Sequence, residues 1–225
     1  MASQHCLWCG KPYRIMISWS FKKWLVPHQR ICERCAKQLE VLNEPTCIRC
    51  NKANIDGECR DCQRRKEYFI QKNTSLYRYN DFAKELMTQY KYRGDYVLAE
   101  LFAPPMKKFF KQRMKDFIIS PIPLAANRLQ ERGFNQVSAM LTYANVPYQY
   151  LLKRDEGDKQ SKRTRNERLQ MIQVFQLNTT DIHHIKGKNI FLVDDIYTTG
   201  VTLNLAAERL ILAGAKMVYS FTIFR

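Results

Sequence analysis

No cysteine occurs after Cys62 in this chain of 225 residues, so thiol chemistry is confined to its first part. No run approaches the ~18–20 consecutive apolar residues that a transmembrane helix needs, which excludes a helical span. The segment Met1-Ala2-Ser3-Gln4-His5-Cys6 lacks the basic start and apolar stretch of a secretory signal. A soluble cytoplasmic protein is expected, one that partners can recruit to the inner face of the membrane. Acidic residues are scarce, 21 Asp and Glu against 37 Lys and Arg, for a formal net charge of +16. That imbalance favours polyanionic partners but does not separate DNA from RNA or from a phosphorylated small molecule. No internal repeat is present apart from a doubled cysteine unit. The length suffices for one good core and a small appendage.

The eight cysteines form four C-x-x-C pairs: Cys6/Cys9, Cys32/Cys35, Cys47/Cys50 and Cys59/Cys62. In such a turn two thiolates can face one tetrahedral metal ion, and two pairs complete a closed structural site. In a reducing compartment this pattern reads as zinc rather than disulfides. Gly10 follows Cys9 and Asn51 follows Cys50, residue types that tolerate the left-handed backbone a knuckle needs there. Cys32/Cys35 and Cys59/Cys62 instead open helix-like segments, Cys35–Glu40 and Cys62–Lys66. The order knuckle, helix, knuckle, helix suggests two sequential four-cysteine zinc sites, Cys6/Cys9/Cys32/Cys35 and Cys47/Cys50/Cys59/Cys62. A cross-braced pairing is the alternative. Residues 1–66 then form a double zinc-finger module, four cysteines to each site, that would scarcely fold without metal. It holds 13 Lys and Arg against 6 Asp and Glu, with Trp8, Trp19 and Trp24 in its first half. Basic side chains among aromatics suit single-stranded nucleic acid. A small aromatic core beneath a solvated basic face accounts for them equally well.

The boundary falls near residue 67, and 67–225 reads as one α/β domain. Phe69–Tyr79 is strand-like with a turn expected at Gln71–Ser75. Asp81 is the expected N-cap of a helix Phe82–Tyr92, with Glu85 near the capping-box position and Gly94 as its end. A second helix from about Tyr96 is interrupted at Pro104-Pro105. Phe117–Ile119 is a short buried strand. A helix starts near Asn135, and a strand lies near Tyr148–Leu152. Lys153–Arg168 has no apolar period; its Lys153, Arg154, Lys159, Lys162, Arg163, Arg165 and Arg168 stand against Asp155, Glu156, Asp158 and Glu167. Such a stretch is either a binding loop or a solvated one. Lys188–Val193 is a strand, Thr202–Gly214 a helix with Leu203, Ala206, Ala207, Leu210 and Ala213 on one face, and Met217–Phe224 a closing strand. Alternating strands and helices argue for a parallel sheet.

The stretch Ile190–Thr202 carries the most chemistry. Four apolar residues are followed by Asp194-Asp195, then by Thr198-Thr199-Gly200 and a helix. Ligands of open α/β sheets bind outside the carboxyl ends of the strands. Hydroxyls and N–H groups converging on a helix N-terminus bind phosphate. A carboxylate pair takes hydroxyl hydrogen bonds or holds Mg²⁺. The ligand that fits has a phosphate at one end and polyhydroxyl or metal character at the other. Arg128 and Arg132, four apart in Asn127–Gln136, are suited to a diphosphate, with Gly133 permitting close backbone approach. A solvated basic helix start is the bland account of the same residues.

Ile190–Thr202 resembles the phosphoribosyl diphosphate (PRPP) signature of type I phosphoribosyltransferases. The resemblance implies Asp194 and Asp195 as ribose ligands and the acids of any reaction. It implies Thr198, Thr199, Gly200 and Thr202 as the 5-phosphate loop, and Mg²⁺ bound with PRPP. The acid that purine phosphoribosyltransferases place three residues after the second aspartate is here Thr198, so 6-oxopurine salvage is not expected. Over nearly the whole chain, the paired C-x-x-C units, Tyr90–Asp95, Pro121-Ile122-Pro123-Leu124, Arg132–Gln136 and Val193–Gly200 with Thr202 resemble the ComF family of late competence proteins, its ComFC type most of all. Around Gln160, before Arg168 and Phe175, the chain fits the family only with a gap. The resemblance implies a phosphoribosyltransferase-like fold with a small zinc module, and uptake of transforming single-stranded DNA beside a helicase-like ATPase of the ComFA type. A transferase acting on an unidentified acceptor outside purine salvage is the alternative.

Overall fold

Ile190, Phe191, Leu192 and Val193 are all buried, and they lie inside β7 (Asn189–Ile196). A strand buried on both faces needs cover on both sides, which a parallel sheet with flanking helices supplies. In the computed structural model, which describes residues 3–14, 30–43, 45–92, 95–155, 173–178 and 182–225, β7 is an inner strand. It pairs with β4 (Phe117–Pro121) on one side and β8 (Met217–Phe224) on the other, and β3 (Ile70–Tyr77) pairs with the far side of β8. All three pairings are parallel.

The two faces are covered by different elements. Phe191, Val193, Phe221 and Ile223 point into a core with α3 (Asp81–Tyr92), the 3-10 turn Tyr96–Leu101, α4 (Ala103–Phe110) and α6 (Gln136–Tyr143). Phe109, Phe110, Phe117, Phe191, Tyr219 and Phe221 stack there at centroid separations of 4.5–5.7 Å, the edge-on and tilted range that aromatic rings favour. Ile190, Leu192 and Val218 point the other way, against Leu203, Ala206, Ala207 and Leu210 of α8 (Val201–Leu212). A short antiparallel pair, β5 (Leu152–Arg154) with β6 (Phe175–Leu177), adds Leu152 and Phe175 to that second core. The segment α5 (Ala126–Arg132) leaves the end of β4, and α7 (Ile182–Ile185) leads into β7.

The amino-terminal part contributes β1 (Ser3–His5) paired with β2 (Pro12–Arg14) and two single-turn helices, α1 (Glu33–Ala36) and α2 (Arg60–Gln63). Gly10 and Asn51 are left-handed, with φ of 69° and 61°, as the knuckle reading requires. The helices lie elsewhere than expected. Each begins directly after the first cysteine of its pair, Cys32 or Cys59, and carries the second, because a C-x-x-C that spans a helical turn brings both sulfurs to one side.

Several local expectations shift. Gln71–Ser75 is continuous strand rather than a turn, with a register irregularity between Ile70 and Asn73; its polar residues find buried partners. Asn80, not Asp81, caps α3, its side-chain oxygen accepting from the Ala83 N–H at 2.9 Å. Pro104 and Pro105 open α4 instead of kinking a longer helix, since the first turn needs no intrahelical N–H. The strand expected at Tyr148–Leu152 begins only at Leu152. Trp19, Trp24, Gly94 and most of Lys153–Arg168, Gln160 included, lie outside the described residues.

Candidate functional site

The acids come from the last residues of β7. Extending the strand to Ile196 carries them past the end of its pairing with β4 at Val193, with Asp194 still opposite Thr222 of β8, and the Asp195 N–H donates to the Asp194 carboxylate at 2.9 Å. Burial pushes the Asp194 carboxyl up, the Asp195 charge adds to this, and it rises to about 7. Asp195 pairs with the Lys91 ammonium at 2.6 Å, both side chains largely buried. Lys91 stands in the last turn of α3. Arg154, at the end of β5, lies close enough to Asp194 to help hold its charge. Burial, and then the nearby Arg128, hold the Arg154 guanidinium below its ordinary value. Sequence reasoning missed Lys91 and Arg154 as site residues. Lys91 was visible only inside the Tyr90–Asp95 motif, and Arg154 only as one of many bases in a polar stretch.

Arg128 and Arg132 share α5. Arg128 is exposed and lies close enough to Arg154 for its charge to be felt there. Arg132 donates to the Gln136 side chain at 2.9 Å and lies 5.6 Å from the Tyr92 ring centroid. Its Nε is buried without a partner among the described residues, an arrangement that an incoming acceptor oxygen would complete. No ion pair joins either arginine to Asp194 or Asp195 among the described residues. Neither arginine is therefore spent on neutralising the acids.

The loop after β7 turns at Gly200, left-handed with φ +74°. A Cβ added there would meet the Tyr197 hydroxyl at 2.1 Å. The ring of Tyr197 fills that place from below, its hydroxyl 3.3 Å from that of Tyr68, so the position admits only glycine. Thr198 and Thr199 are exposed. The Val201 N–H reaches the Thr199 hydroxyl at 3.4 Å, while the N-cap residue of α8, Gly200, offers no side-chain cap. The first turn of a twelve-residue helix thus presents its N–H groups beside two hydroxyls, with Thr202 half-buried in the same turn. Such an arrangement can bind a phosphate. Asp194, Asp195, Thr198, Thr199, Gly200 and Thr202 belong to one continuous strand–loop–helix unit, with Lys91 on Asp195, Arg154 near Asp194 and Arg128 near Arg154.

The cysteines gather as two groups, Cys6/Cys9/Cys32/Cys35 and Cys47/Cys50/Cys59/Cys62, with the four sulfurs of each within 4.8 Å of one another. The sequential pairing holds, and the cross-braced one does not. Sulfur–sulfur separations of 3.8 Å for Cys9/Cys32, 4.0 Å for Cys47/Cys62 and 3.6 Å for Cys50/Cys59 match the roughly 3.8 Å edge of a tetrahedron with Zn–S bonds of about 2.3 Å. Cys6 and Cys47 are prepared for the thiolate state. Burial pushes each thiol up, but backbone N–H groups, from Cys9, Cys32 and Trp8 in the one and Cys50, Cys59 and Arg49 in the other, bring it down to about 7. Each group could hold one zinc ion. The first packs on α3, where Trp8 meets Phe82 edge-on at 5.3 Å. The second packs beside the phosphate-type loop, across a cleft of about 350 Å³ whose lining includes Cys50, Cys62, Arg65, Thr198, Thr199 and Arg225.

Residues 129–225 match the family described as "Phosphoribosyl transferase domain". The chain is similar to competence protein ComFC of Bacillus subtilis (strain 168), 34% identical over 229 residues, covering 98% of this chain and 94% of that protein. It is also similar to competence protein ComFC of Streptococcus pneumoniae (strain ATCC BAA-255 / R6), 33% identical over 227 residues, 98% and 99% of the two chains. Among solved structures, one titled as the allosteric regulatory enzyme of purine biosynthesis aligns with 56% of this chain at 15% identity and a TM-score of 0.38; the alignment spans 26% of that longer chain. No helix among the described residues is long and apolar enough to cross a membrane.

Proposed function

The chain belongs to the ComFC family of competence proteins, and from that premise we propose that it binds PRPP with Mg²⁺ and supports uptake of transforming single-stranded DNA. The observation that carries the first part is the β7–loop–α8 unit, in which a carboxylate pair is followed by a helix N-terminus with glycine at its N-cap. Asp194 and Asp195 take the ribose hydroxyls. Thr198, Thr199, Thr202 and the N–H groups of the first α8 turn take the 5-phosphate. Arg128, Arg132 and Arg154 face the diphosphate, to which guanidinium groups are suited. Mg²⁺ bound with the ligand would be held on the protein side by the carboxylate pair and would supply further positive charge for the diphosphate.

Lys91 occupies the position that a ribose hydroxyl would claim on Asp195. Binding therefore exchanges one strong partner of that carboxylate for others, and the released ammonium becomes a further cation for the diphosphate. The net positive charge of the chain supports the DNA part, with a helicase-like ATPase of the ComFA type as the partner motor.

A second reading, transfer of the phosphoribosyl group to an acceptor, draws support from the same acids and cations. Thr198 cannot serve as a base at neutral pH, so the acceptor lies outside 6-oxopurines. Calorimetric titration of the full chain with Mg²⁺ and PRPP tests the binding reading. We expect saturable binding, and a loss of at least tenfold in affinity in Asp194→Asn/Asp195→Asn with the fold kept by circular dichroism. Equal binding by the double variant would overturn it. Diphosphate release from PRPP, in the presence of nucleosides or DNA ends, separates transfer from binding alone.

A further inference from the structure

The carbonyl oxygens of four successive loop residues all accept hydrogen bonds from two guanidinium groups. Arg225 donates to the Tyr197 carbonyl at 3.4 Å and to the Thr198 carbonyl at 3.0 Å. Arg65 donates to the Thr199 carbonyl and, at 3.3 Å, to the Gly200 carbonyl. Drawing these carbonyls to one side helps turn the amide N–H groups of the loop to the other, where an anion would sit.

Both arginines are anchored to the second cysteine cluster. Arg225 Nη2 lies 3.3 Å from Cys50 Sγ and its Nε donates to the Cys50 carbonyl at 3.2 Å, while the guanidinium covers the Tyr197 ring at 4.7 Å. Arg65 follows Cys62 by three residues, its own N–H donates to the Cys62 carbonyl at 3.2 Å, and its guanidinium lies over Tyr68 at 5.4 Å. The Cys6/Cys9/Cys32/Cys35 cluster makes no such bond to the loop among the described residues, so the tie is specific to one cluster.

We infer that Arg65 and Arg225 are positioning residues that set the phosphate-type loop from the Cys47/Cys50/Cys59/Cys62 cluster, so that metal on this cluster and anion in the loop strengthen each other. This rests on the reading of Tyr197–Thr202 as a phosphate loop. A tetrathiolate zinc centre keeps net negative charge. That charge holds Arg225 by a charge-assisted bond at Cys50, and the same guanidinium spans to the loop. Lysine cannot replace it, because one ammonium lacks the planar fork that reaches sulfur and two carbonyls together. The coupling is reciprocal by thermodynamic necessity: whatever the metal gives to anion binding, the anion returns to metal retention.

The test uses the full zinc-loaded chain, with metal content checked by atomic emission. Amide exchange by NMR is followed at Tyr197, whose N–H donates to Phe224, and at Asn204, whose N–H donates to Gly200. In Arg225→Ala we expect exchange at these two amides to rise about tenfold while Ile190–Val193 stay as in the parent. If that variant loses one zinc, Arg65→Ala, which leaves Cys50 untouched, carries the test. Arg225→Lys is expected to exchange as the alanine variant does. Parent-like exchange in both Arg65→Ala and Arg225→Ala, or full recovery in Arg225→Lys, overturns the inference. In a second measurement a colorimetric chelator strips zinc from the parent, and PRPP with Mg²⁺ is expected to slow release of one of the two ions several-fold, but not in Arg225→Ala. An equal effect in both proteins also overturns it. A parent that does not bind PRPP defeats the functional reading alone, while the exchange measurement still decides the role of the arginines.

Discussion

At the scale of single residues, the acid pair divides its labour. Asp195 is paired with the Lys91 ammonium, whereas Asp194 is held up to about 7 by burial and by the neighbouring charge. The sign follows. Between the ordinary aspartate value and about 7 the folded protein retains a proton that the unfolded chain has lost, so this group's contribution falls as pH rises through that window. Asp194→Asn removes the slope. Chemical denaturation of the ligand-free protein should find the variant more stable than the parent by on the order of 1–3 kcal/mol at pH 8, and indistinguishable near pH 4. PRPP needs the ionised carboxylate to accept its hydroxyls, so its affinity for the parent should weaken by up to tenfold per unit as pH falls below about 7. A flat stability difference from pH 4 to 8 would refute the assignment. The acids were legible in the sequence because an apolar run, two carboxylates and a Thr-Thr-Gly turn are contiguous and each has one physical use. Lys91 and Arg154 were not, because what brings them to the acids is the packing of α3 and β5 against the ends of other elements, and no local pattern encodes that.

At the scale of elements, cysteine spacing gives the pairing of the knuckles but misplaces their helices. Spacing reports which sulfurs can meet, whereas helix boundaries depend on backbone geometry that the metal-type turn imposes. The expected turn in Gln71–Ser75 failed for a related reason: its polar residues resemble a loop, yet Asn73 and Ser75 are buried and satisfied. Asn73 donates to the Cys50 carbonyl and to the Ser75 hydroxyl, and the Ser75 N–H donates to the Asn51 side chain at 2.7 Å. The second knuckle is therefore joined to the sheet by buried hydrogen bonds rather than tethered beside it. Removing metal should consequently weaken more than the first 66 residues. Chelation under reducing conditions is expected to lower a single thermal transition of the whole chain by about 10 °C or more, since structural zinc supplies several kcal/mol and each shifts a domain of this size by ~2–4 °C. Calorimetry showing an unshifted transition for the sheet would mean that the two parts unfold independently.

At the scale of the whole molecule, the charge of +16 exceeds what one phosphoribosyl ligand could use. If the surplus serves single-stranded DNA, binding should weaken steeply with salt, log K falling by roughly 0.7 per phosphate contact for each decade of salt. Fluorescence anisotropy with a labelled oligothymidylate measures the slope, and a flat response removes DNA from the functional account. The parallel sheet and the sequential cysteine sites were both foreseeable, one from alternating strands and helices and the other from four evenly matched pairs. The way each cluster seats on the α/β part was not, because it depends on partners far away in the chain.

One of those distant contacts also governs how the molecule can be made. Ser75 meets Thr222 at 2.7 Å and Ser220 meets Asn73 at 2.8 Å, and each pair is separated by 147 positions. Strand β3 emerges early from the ribosome, yet its neighbour in the sheet, β8, is synthesised only after every other described strand and helix. Strand β3 must therefore wait, with Asn73 and Ser75 short of their partners Ser220 and Thr222, for residues 217–224 to arrive. A chain built this way completes its sheet only once β8 has been made, and its slowest and most exposed stage of folding is that wait.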